Sequence, residues 1–161
     1  MPGQNLTRDE AAARSAIVST DSYVVALDLT TGPETFGTVT TVEFGAQEGS
    51  ESFIDLIAPS VQSIVLNGES LDPAEHFADS RIRLPRLRER NTLTVEATGA
   101  YMNTGEGLHR FVDPADGEVY LYTQFEVPDS RRVFAVFEQP DLKATFQFTV
   151  TAPAHWQVIS N

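Results

Sequence analysis

Apolar and polar side chains alternate with a period of two along most of this chain. Residues 22–29 and 38–44 show the pattern most clearly, because every second side chain in each segment is apolar or a threonine. Successive side chains of a strand point to opposite faces of a sheet, so the pattern predicts strands with one buried face. The same reading predicts further strands at residues 53–57, 63–66, 81–84, 92–97, 108–112, 119–122, 143–150 and 156–159.

Turn signals separate these segments. Asn67-Gly68 follows a β-branched run, and both residues tolerate the positive φ angles of a tight type I′ turn. Asp113 to Gly117 carries a proline and a glycine between two strand-like segments, which predicts strand, turn and strand. Short strands with a turn about every ten residues indicate a mainly β fold, an antiparallel sandwich or open barrel.

Two short helices interrupt the strand pattern. Thr7 and Glu10 have the spacing of a capping box, and an alanine-rich run follows, so we predict a helix over residues 8–17. A second short helix is predicted near residues 129–137, where Asp129 or Ser130 can cap it and Val133 and Phe137 lie one turn apart. The aromatic side chains expected in the core here and in the following strand are Phe134, Phe137, Phe146 and Phe148.

Composition narrows the function classes. The chain has 161 residues, the expected size of a single domain, and a net charge of −12. Five arginines between residues 81 and 90 form either a small anion patch or a solvated face, and the acidic balance argues against a nucleic-acid partner. There is no cysteine, no apolar run long enough to span a membrane and no signal-peptide pattern at residues 1–5. We therefore expect no membrane partner and a cytoplasmic location.

Local signatures of catalysis or metal binding are missing. His76, His109 and His155 lie far apart, and no His-Glu-x-x-His occurs. The Gly105-Glu106-Gly107 segment lacks the third glycine and following helix of a phosphate loop, so we interpret it as a flexible loop. We accordingly expect no catalytic residue, no metal ligand and no cofactor within these 161 residues.

Gln124 and Glu126 are the candidate binding residues. They end an apolar, strand-like run, and side chains two apart in an extended segment project to one face. An ionised carboxylate can hold an ammonium group through charge-assisted hydrogen bonds, and a neutral amide beside it can orient a peptide group. The alternative is structural: Glu126 pairs with Arg131 or Arg132, and Gln124 faces solvent.

The two arginines have alternative roles of their own. Arg131 and Arg132 are either clamps for a ligand carboxylate or internal ties to neighbouring loops, to Glu138 or to Asp141. We favour internal ties.

The second half of the chain resembles the N-terminal domain of M1-family zinc aminopeptidases, of the actinobacterial aminopeptidase N type. About sixty residues carry the likeness, and residues 1–100 match more loosely. The matching motifs are Gly105 to Phe111, Asp113-Pro114, Tyr120 to Glu126, Arg131 to Asp141, Phe146, Ala152-Pro153 and Trp156.

The resemblance implies a saddle-shaped β domain that packs against a thermolysin-like catalytic domain. In the family's Gln-x-Glu segment the glutamate holds the free amino group of a peptide substrate, and the glutamine lines the pocket for the first side chain. These roles fall on Glu126 and Gln124. The family's zinc motif, Gly-x-Met-Glu-Asn motif and catalytic tyrosine have no counterpart within residues 1–161.

We therefore expect residues 1–161 to be one N-terminal β domain of a larger zinc aminopeptidase, inactive alone. Its expected partners are a downstream catalytic domain of the same chain, which holds the zinc, and the N-terminus of a peptide. The domain should then expose an unusually apolar sheet face. The alternative is a free-standing β-sandwich that binds or scaffolds without enzymatic activity.

Overall fold

The computed structural model describes residues 5–160; the polar residues 1–4 and Asn161 lie outside the described part. Its helical elements are α1 (Arg8–Ser15), α2 (Pro73–His76) and a 3₁₀ turn (Ser130–Arg132). The strands are β1 (Val18–Asp28), β2 (Thr35–Ala46), β3 (Ser52–Asp55), β4 (Ser60–Leu66), β5 (Glu69–Leu71), β6 (Phe77–Ala78), β7 (Arg81–Leu84), β8 (Arg90–Ala100), β9 (Gly107–Val112), β10 (Val119–Gln124) and β11 (Thr145–Thr151).

Three open sheets form the fold of residues 5–160. The largest has six strands in the order β11-β1-β2-β8-β4-β5, the second is β3-β7-β6, and the third is the hairpin of β9 and β10. The predicted mainly β architecture is confirmed. All strand pairs of the described residues are antiparallel except β1 with β11, which run parallel with Tyr23 opposite Phe146.

The core lies on one face of the six-stranded sheet. Alternate residues of neighbouring strands meet there, and Val25, Val42 and Leu93 are fully buried. On the opposite face the hydroxyl groups of Thr41 and Thr94 lie 3.2 Å apart. The alternation read from the sequence therefore assigned the buried face of these strands correctly, because one register fixes the face of every side chain.

The N-terminal capping box is confirmed. The Glu10 N–H donates to the Thr7 hydroxyl at 3.2 Å, and the Thr7 N–H donates to the Glu10 carboxylate at 2.9 Å. The Arg81 guanidinium, 2.6 Å from Glu10, together with the Thr7 backbone holds the pKa of Glu10 at about 2. Helix α1 ends at Ser15, two residues earlier than predicted.

No helix among residues 5–160 is long and apolar enough to cross a membrane.

Both predicted turns are present. Asn67 and Gly68 have φ angles of 54° and 83°, as a type I′ turn requires, and they join β4 to β5. In the second turn the Gly117 N–H donates to the Asp113 carbonyl at 2.7 Å, and Gly117 has a φ of 74°. This turn closes the β9–β10 hairpin.

The predicted helix at residues 129–137 is wrong beyond its first turn. Only Ser130–Arg132 is helical, and Val133 to Phe137 is buried at every position. The Val136 N–H and carbonyl pair with the backbone of Asp55 at 3.0 and 2.9 Å, and the Phe137 N–H donates to the Tyr23 hydroxyl. A segment buried on all sides satisfies its backbone through these distant partners instead of through helical bonds.

Two further predictions fail near the C-terminal end of the chain. Residues 156–159 do not form a strand, and Ile159 is 90% exposed. Phe134 and Phe137 are buried as predicted, but Phe146 and Phe148 are 47% and 40% exposed. Both lie on β11, which is the edge strand of the six-stranded sheet, so this end of the sheet is incompletely covered.

A glycine-to-alanine comparison tests the packing of the core. Gly99 of β8 lies opposite Phe36 of β2, and a Cβ atom at Gly99 would overlap the buried Phe36 ring. We expect Gly99→Ala to lower the free energy of unfolding by about 1–3 kcal/mol through overpacking. Urea denaturation of the purified chain measures the change.

Gly37 supplies the matched control. It lies in the neighbouring strand, and a Cβ atom there would meet nothing closer than Asp28 Cβ at 3.4 Å. Gly37→Ala is expected to change the free energy of unfolding by no more than about 0.5 kcal/mol. Equal losses in the two variants would contradict the overlap with Phe36.

Candidate functional site

The candidate residues lie at the open end of the β9–β10 hairpin. Gln124 is the last residue of β10 and pairs with Gly107, the first residue of β9. Gly107 has a φ of 61°, and a Cβ atom there would approach Arg132 Cβ to 2.7 Å. A glycine is therefore required where the hairpin packs against the segment that follows Glu126.

Glu126 begins the turn that follows β10. Its side chain and that of Gln124 are both exposed. The Glu126 N–H donates to the Gln124 side-chain oxygen at 3.2 Å, so the amide folds back over the backbone of the turn. Because β10 ends at Gln124, the turn and not the alternation of a strand sets the direction of the Glu126 side chain.

The turn itself has internal support. The Asp129 N–H donates to the Phe125 carbonyl at 3.2 Å, and the Phe125 ring packs edge-to-face on Phe134 with centroids 5.7 Å apart. Phe134 is buried, so Phe125 connects the turn to the core. The two exposed candidate residues are thus presented by a segment that is attached on its inner side.

Arg131 forms hydrogen bonds within the protein that connect neighbouring segments. Its side chain is buried, and its Nε donates to the Pro128 carbonyl at 2.9 Å. Its own N–H donates to the Glu138 carboxylate at 2.8 Å, which also accepts from the Ser130 hydroxyl. Burial raises the pKa of Glu138. The structure therefore places Arg131 among protein groups, as we favoured from the sequence.

Arg132 connects the turn to the hairpin. Its Nε donates to Asp129 Oδ1 at 2.7 Å, and its Nη2 lies 3.4 Å from Glu106 Oε2. Glu106 immediately precedes β9, and the Thr104 hydroxyl donates to the same carboxylate. One guanidinium thus joins the segment before β9 to the segment after β10.

Glu126 is not neutralised by either arginine. The ion pairs formed among residues 5–160 do not include Glu126. The structural alternative, in which Glu126 pairs with Arg131 or Arg132, is therefore absent from the described part of the chain. An exposed carboxylate without an internal partner is free to accept hydrogen bonds from a cationic ligand.

A cleft of about 480 Å³ lies beside the hairpin, between β10, β11 and residues 155–160. Its wall includes Tyr122, Phe125, Phe148 and Trp156. Gln124 and Glu126 do not line it, so the cleft and the candidate residues are separate features of the hairpin.

The arginine cluster at residues 81–90 is largely paired. Arg81 lies 2.6 Å from Glu10, Arg88 lies 3.5 Å from Glu69, and Arg90 lies 3.2 Å from Asp21. Because these three arginines already pair with carboxylates, the cluster is better interpreted as a solvated charged face than as a patch that binds anions.

The three histidines do not meet. His76 contacts the Arg83 carbonyl at 3.1 Å, and His109 accepts from the Gly105 N–H at 3.0 Å while stacking on Tyr122. His155 packs edge-on to Trp156. Within residues 5–160 no group of three or more histidine, aspartate or glutamate side chains is arranged to hold a metal ion. The described residues therefore do not fit a zinc site.

Sequence reasoning missed the contacts that Arg132 makes with Asp129, Glu106 and Gly107 beside the candidate residues. Asp129 and Arg132 have a helical (i,i+3) spacing that was visible, but Glu106 reaches them only because the hairpin folds back. The glycine at position 107 was interpreted as part of a flexible loop, whereas its positive φ allows the close packing on Arg132.

Comparison with known proteins assigns the family. Residues 19–161 match the model of the peptidase M1 N-terminal domain. The chain belongs to this family, and the resemblance inferred from its motifs is confirmed.

Named relatives agree with this assignment. The chain is 64% identical to aminopeptidase N of Streptomyces lividans over its whole length, and it covers 19% of that protein. It is 44% identical to the probable M1 family aminopeptidase 1 of Encephalitozoon cuniculi over 43% of this chain and 8% of that protein. The chain thus spans about a fifth or less of the length of these relatives.

Solved structures support the fold. Native yeast LTA4 hydrolase matches with a TM-score of 0.69 at 16% identity, over 86% of this chain and 23% of that chain. At this identity the match shows that the two proteins share the fold of the domain.

Proposed function

We propose that this chain is the substrate-side N-terminal domain of a zinc metallo-aminopeptidase that removes N-terminal residues from peptides. The family match over residues 19–161 and the 64% identity to an aminopeptidase N carry the proposal. The domain itself is non-catalytic. It contributes contacts to the substrate, and the catalytic domain of the same chain supplies the reaction.

Glu126 anchors the amino group of the substrate. Its exposure and the lack of an ion pair to it among the described residues support this role. A carboxylate that accepts hydrogen bonds from an α-ammonium fixes the end of the peptide, and this end then sets which bond is cut. In the isolated domain the same carboxylate is surrounded by water and binds an ammonium group weakly.

Gln124 forms the rim of the first subsite. Its amide is neutral, so it can contact the first residue of a peptide without adding charge. The contact to the Glu126 N–H at 3.2 Å uses one acceptor site of the amide oxygen and leaves the amide NH₂ available.

The zinc ion belongs to the catalytic domain in this proposal, since residues 5–160 offer no cluster that fits it. When bound there, zinc supplies the polarisation of the scissile carbonyl and the activation of water. Exposed apolar side chains on β9, β10, β11 and the turn after β10 support docking of that domain, and they are Phe111, Val112, Tyr120, Tyr122, Val127, Phe146 and Phe148. A cytoplasmic location stays a prediction.

The test uses the full-length protein that carries this chain. We expect it to contain zinc and to release the chromophore from an alanyl or leucyl anilide with a free amino group. The N-acetylated anilide should not be cleaved, because acetylation removes the charge that Glu126 binds. Equal rates on the free and the acetylated anilide would contradict recognition of the free amino group. A stop codon directly after residue 161 would overturn the proposal in favour of a free-standing module.

A further inference from the structure

We propose that Arg132 is a positioning residue that sets the place of Glu126 by fastening the turn at residues 125–129 to the start of β9. This inference rests on the proposed role of Glu126. It follows from two sets of contacts that Arg132 makes, one on the turn and one on the hairpin, and from the charges of the residues that it contacts.

The first set lies on the turn. Asp129 ends the turn that Glu126 begins, and its carboxylate accepts from Arg132 Nε at 2.7 Å. The Arg132 N–H also donates to the Asp129 carbonyl at 3.1 Å. Two bonds between the same residues fix the end of the turn against the 3₁₀ turn that follows.

The second set lies on the hairpin. Arg132 Nη2 is 3.4 Å from Glu106 Oε2, and the neighbouring Gly107 packs on the aliphatic part of the Arg132 side chain. Gly107 pairs directly with Gln124 across the hairpin. Arg132 therefore contacts the start of β9 directly opposite Gln124, the residue at which β10 ends.

The third observation is the charge balance. Arg132 is the cation that pairs with the carboxylates of both Asp129 and Glu106, and its side chain is 25% exposed. Because Asp129 is paired with Arg132, Glu126 remains the carboxylate of this turn that is not paired among the described residues. Without Arg132, Asp129 and Glu106 would carry unbalanced negative charge, and the turn would lose its connection to β9.

A planar guanidinium suits this role better than an ammonium. Its fork directs two N–H groups at two different carboxylates, whereas a lysine presents one compact charge on a flexible stem. We therefore expect a lysine at this position to restore the charge balance and only part of the geometry.

The experiment is a double-mutant cycle in the full-length enzyme. Arg132→Met is expected to lower kcat/KM for a free-amine anilide about tenfold, chiefly through KM, because a displaced carboxylate binds the substrate amino group less well. In the Glu126→Ala background, the same change should lower kcat/KM by less than about twofold, since the residue it positions is gone. Arg132→Lys should recover part of the loss.

Two control variants distinguish a positioning role of Arg132 from general damage to the fold. Arg90→Met removes an exposed arginine that pairs with Asp21, and it should leave the kinetics unchanged. Asp129→Asn weakens the 2.7 Å contact without removing the guanidinium, and it provides a second variant if Arg132→Met does not fold. Zinc content should match wild type in every folded variant.

The outcomes discriminate between the inferences. Equal losses from Arg132→Met with and without Glu126 would overturn the positioning role, as would wild-type kinetics in both Arg132→Met and Asp129→Asn. In either case a large loss in Glu126→Ala alone would leave the proposed function standing. Wild-type kinetics in Glu126→Ala would remove the anchor role and the positioning role together.

Discussion

Replacing Glu126 by alanine in the full-length protein is expected to lower kcat/KM for free-amine substrates by about 10- to 150-fold. This range corresponds to the roughly 1.5–3 kcal/mol of a hydrogen bond to a charged group. The loss should appear mainly as a higher KM if the anchor contributes equally to substrate and transition state, and in kcat if it acts through orientation. Steady-state kinetics on alanyl and leucyl anilides measure both constants.

Two companion variants sharpen this result. Glu126→Gln keeps the size of the side chain but removes its charge, so most of the loss should remain. Glu118→Ala removes an exposed carboxylate from the same hairpin and changes the net charge by the same amount. We expect wild-type kinetics for Glu118→Ala, and a similar loss in both alanine variants would indicate a general electrostatic effect instead of an anchor.

The strands were predictable because one register decides the position of many side chains. Every second residue of β2, of β8 and of β1 from Tyr23 onward faces the core, and the same alternation is present in the sequence. The capping box at Thr7 and the Asn67-Gly68 turn were predictable for a related reason, since residues close in the chain determine both.

The predictions that were wrong concern residues whose environment is determined by partners distant in the sequence. Val133 and Phe137 have helical spacing, but Asp55 and Tyr23 provide the backbone contacts that hold this segment extended. Phe146 alternates correctly on β11, yet its exposure depends on what else covers the edge of the sheet. Periodicity identifies a face and does not state whether that face is covered.

The candidate site was predictable only in part. Residue types and spacing placed Gln124 and Glu126 at a strand end, which the structure bears out for Gln124. A pair of Glu126 with Arg131 or Arg132 could be neither assigned nor dismissed from the sequence, because these arginines also contact Asn5 and Glu106, which lie in distant segments. The ligand itself is suggested by the family, and kinetics will decide it.

Removal of the Arg14 guanidinium is expected to cause the largest loss of stability. Arg14 is buried on α1, and its Nη1 lies 2.7 Å from the buried carboxylate of Asp55. Its Nε donates to Gln139 at 3.0 Å, and its guanidinium lies 4.8 Å from the centroid of the Phe53 ring. Arg14→Met should lower the free energy of unfolding by about 3–5 kcal/mol, because it leaves a buried carboxylate without its nearest cation.

The exposed pair of Arg90 and Asp21 is the matched comparison for this loss. Its side chains are 78% and 46% exposed, so Arg90→Met should cost less than about 1 kcal/mol. The double variant Arg14→Met with Asp55→Asn should recover part of the loss, since it removes a buried charge that only the more distant Arg81, at 4.0 Å, still faces, while keeping an acceptor for the Glu138 N–H. Urea denaturation of the purified chain measures all three. Equal costs for Arg14→Met and Arg90→Met would mean that burial of the Arg14 pair does not govern its energetics.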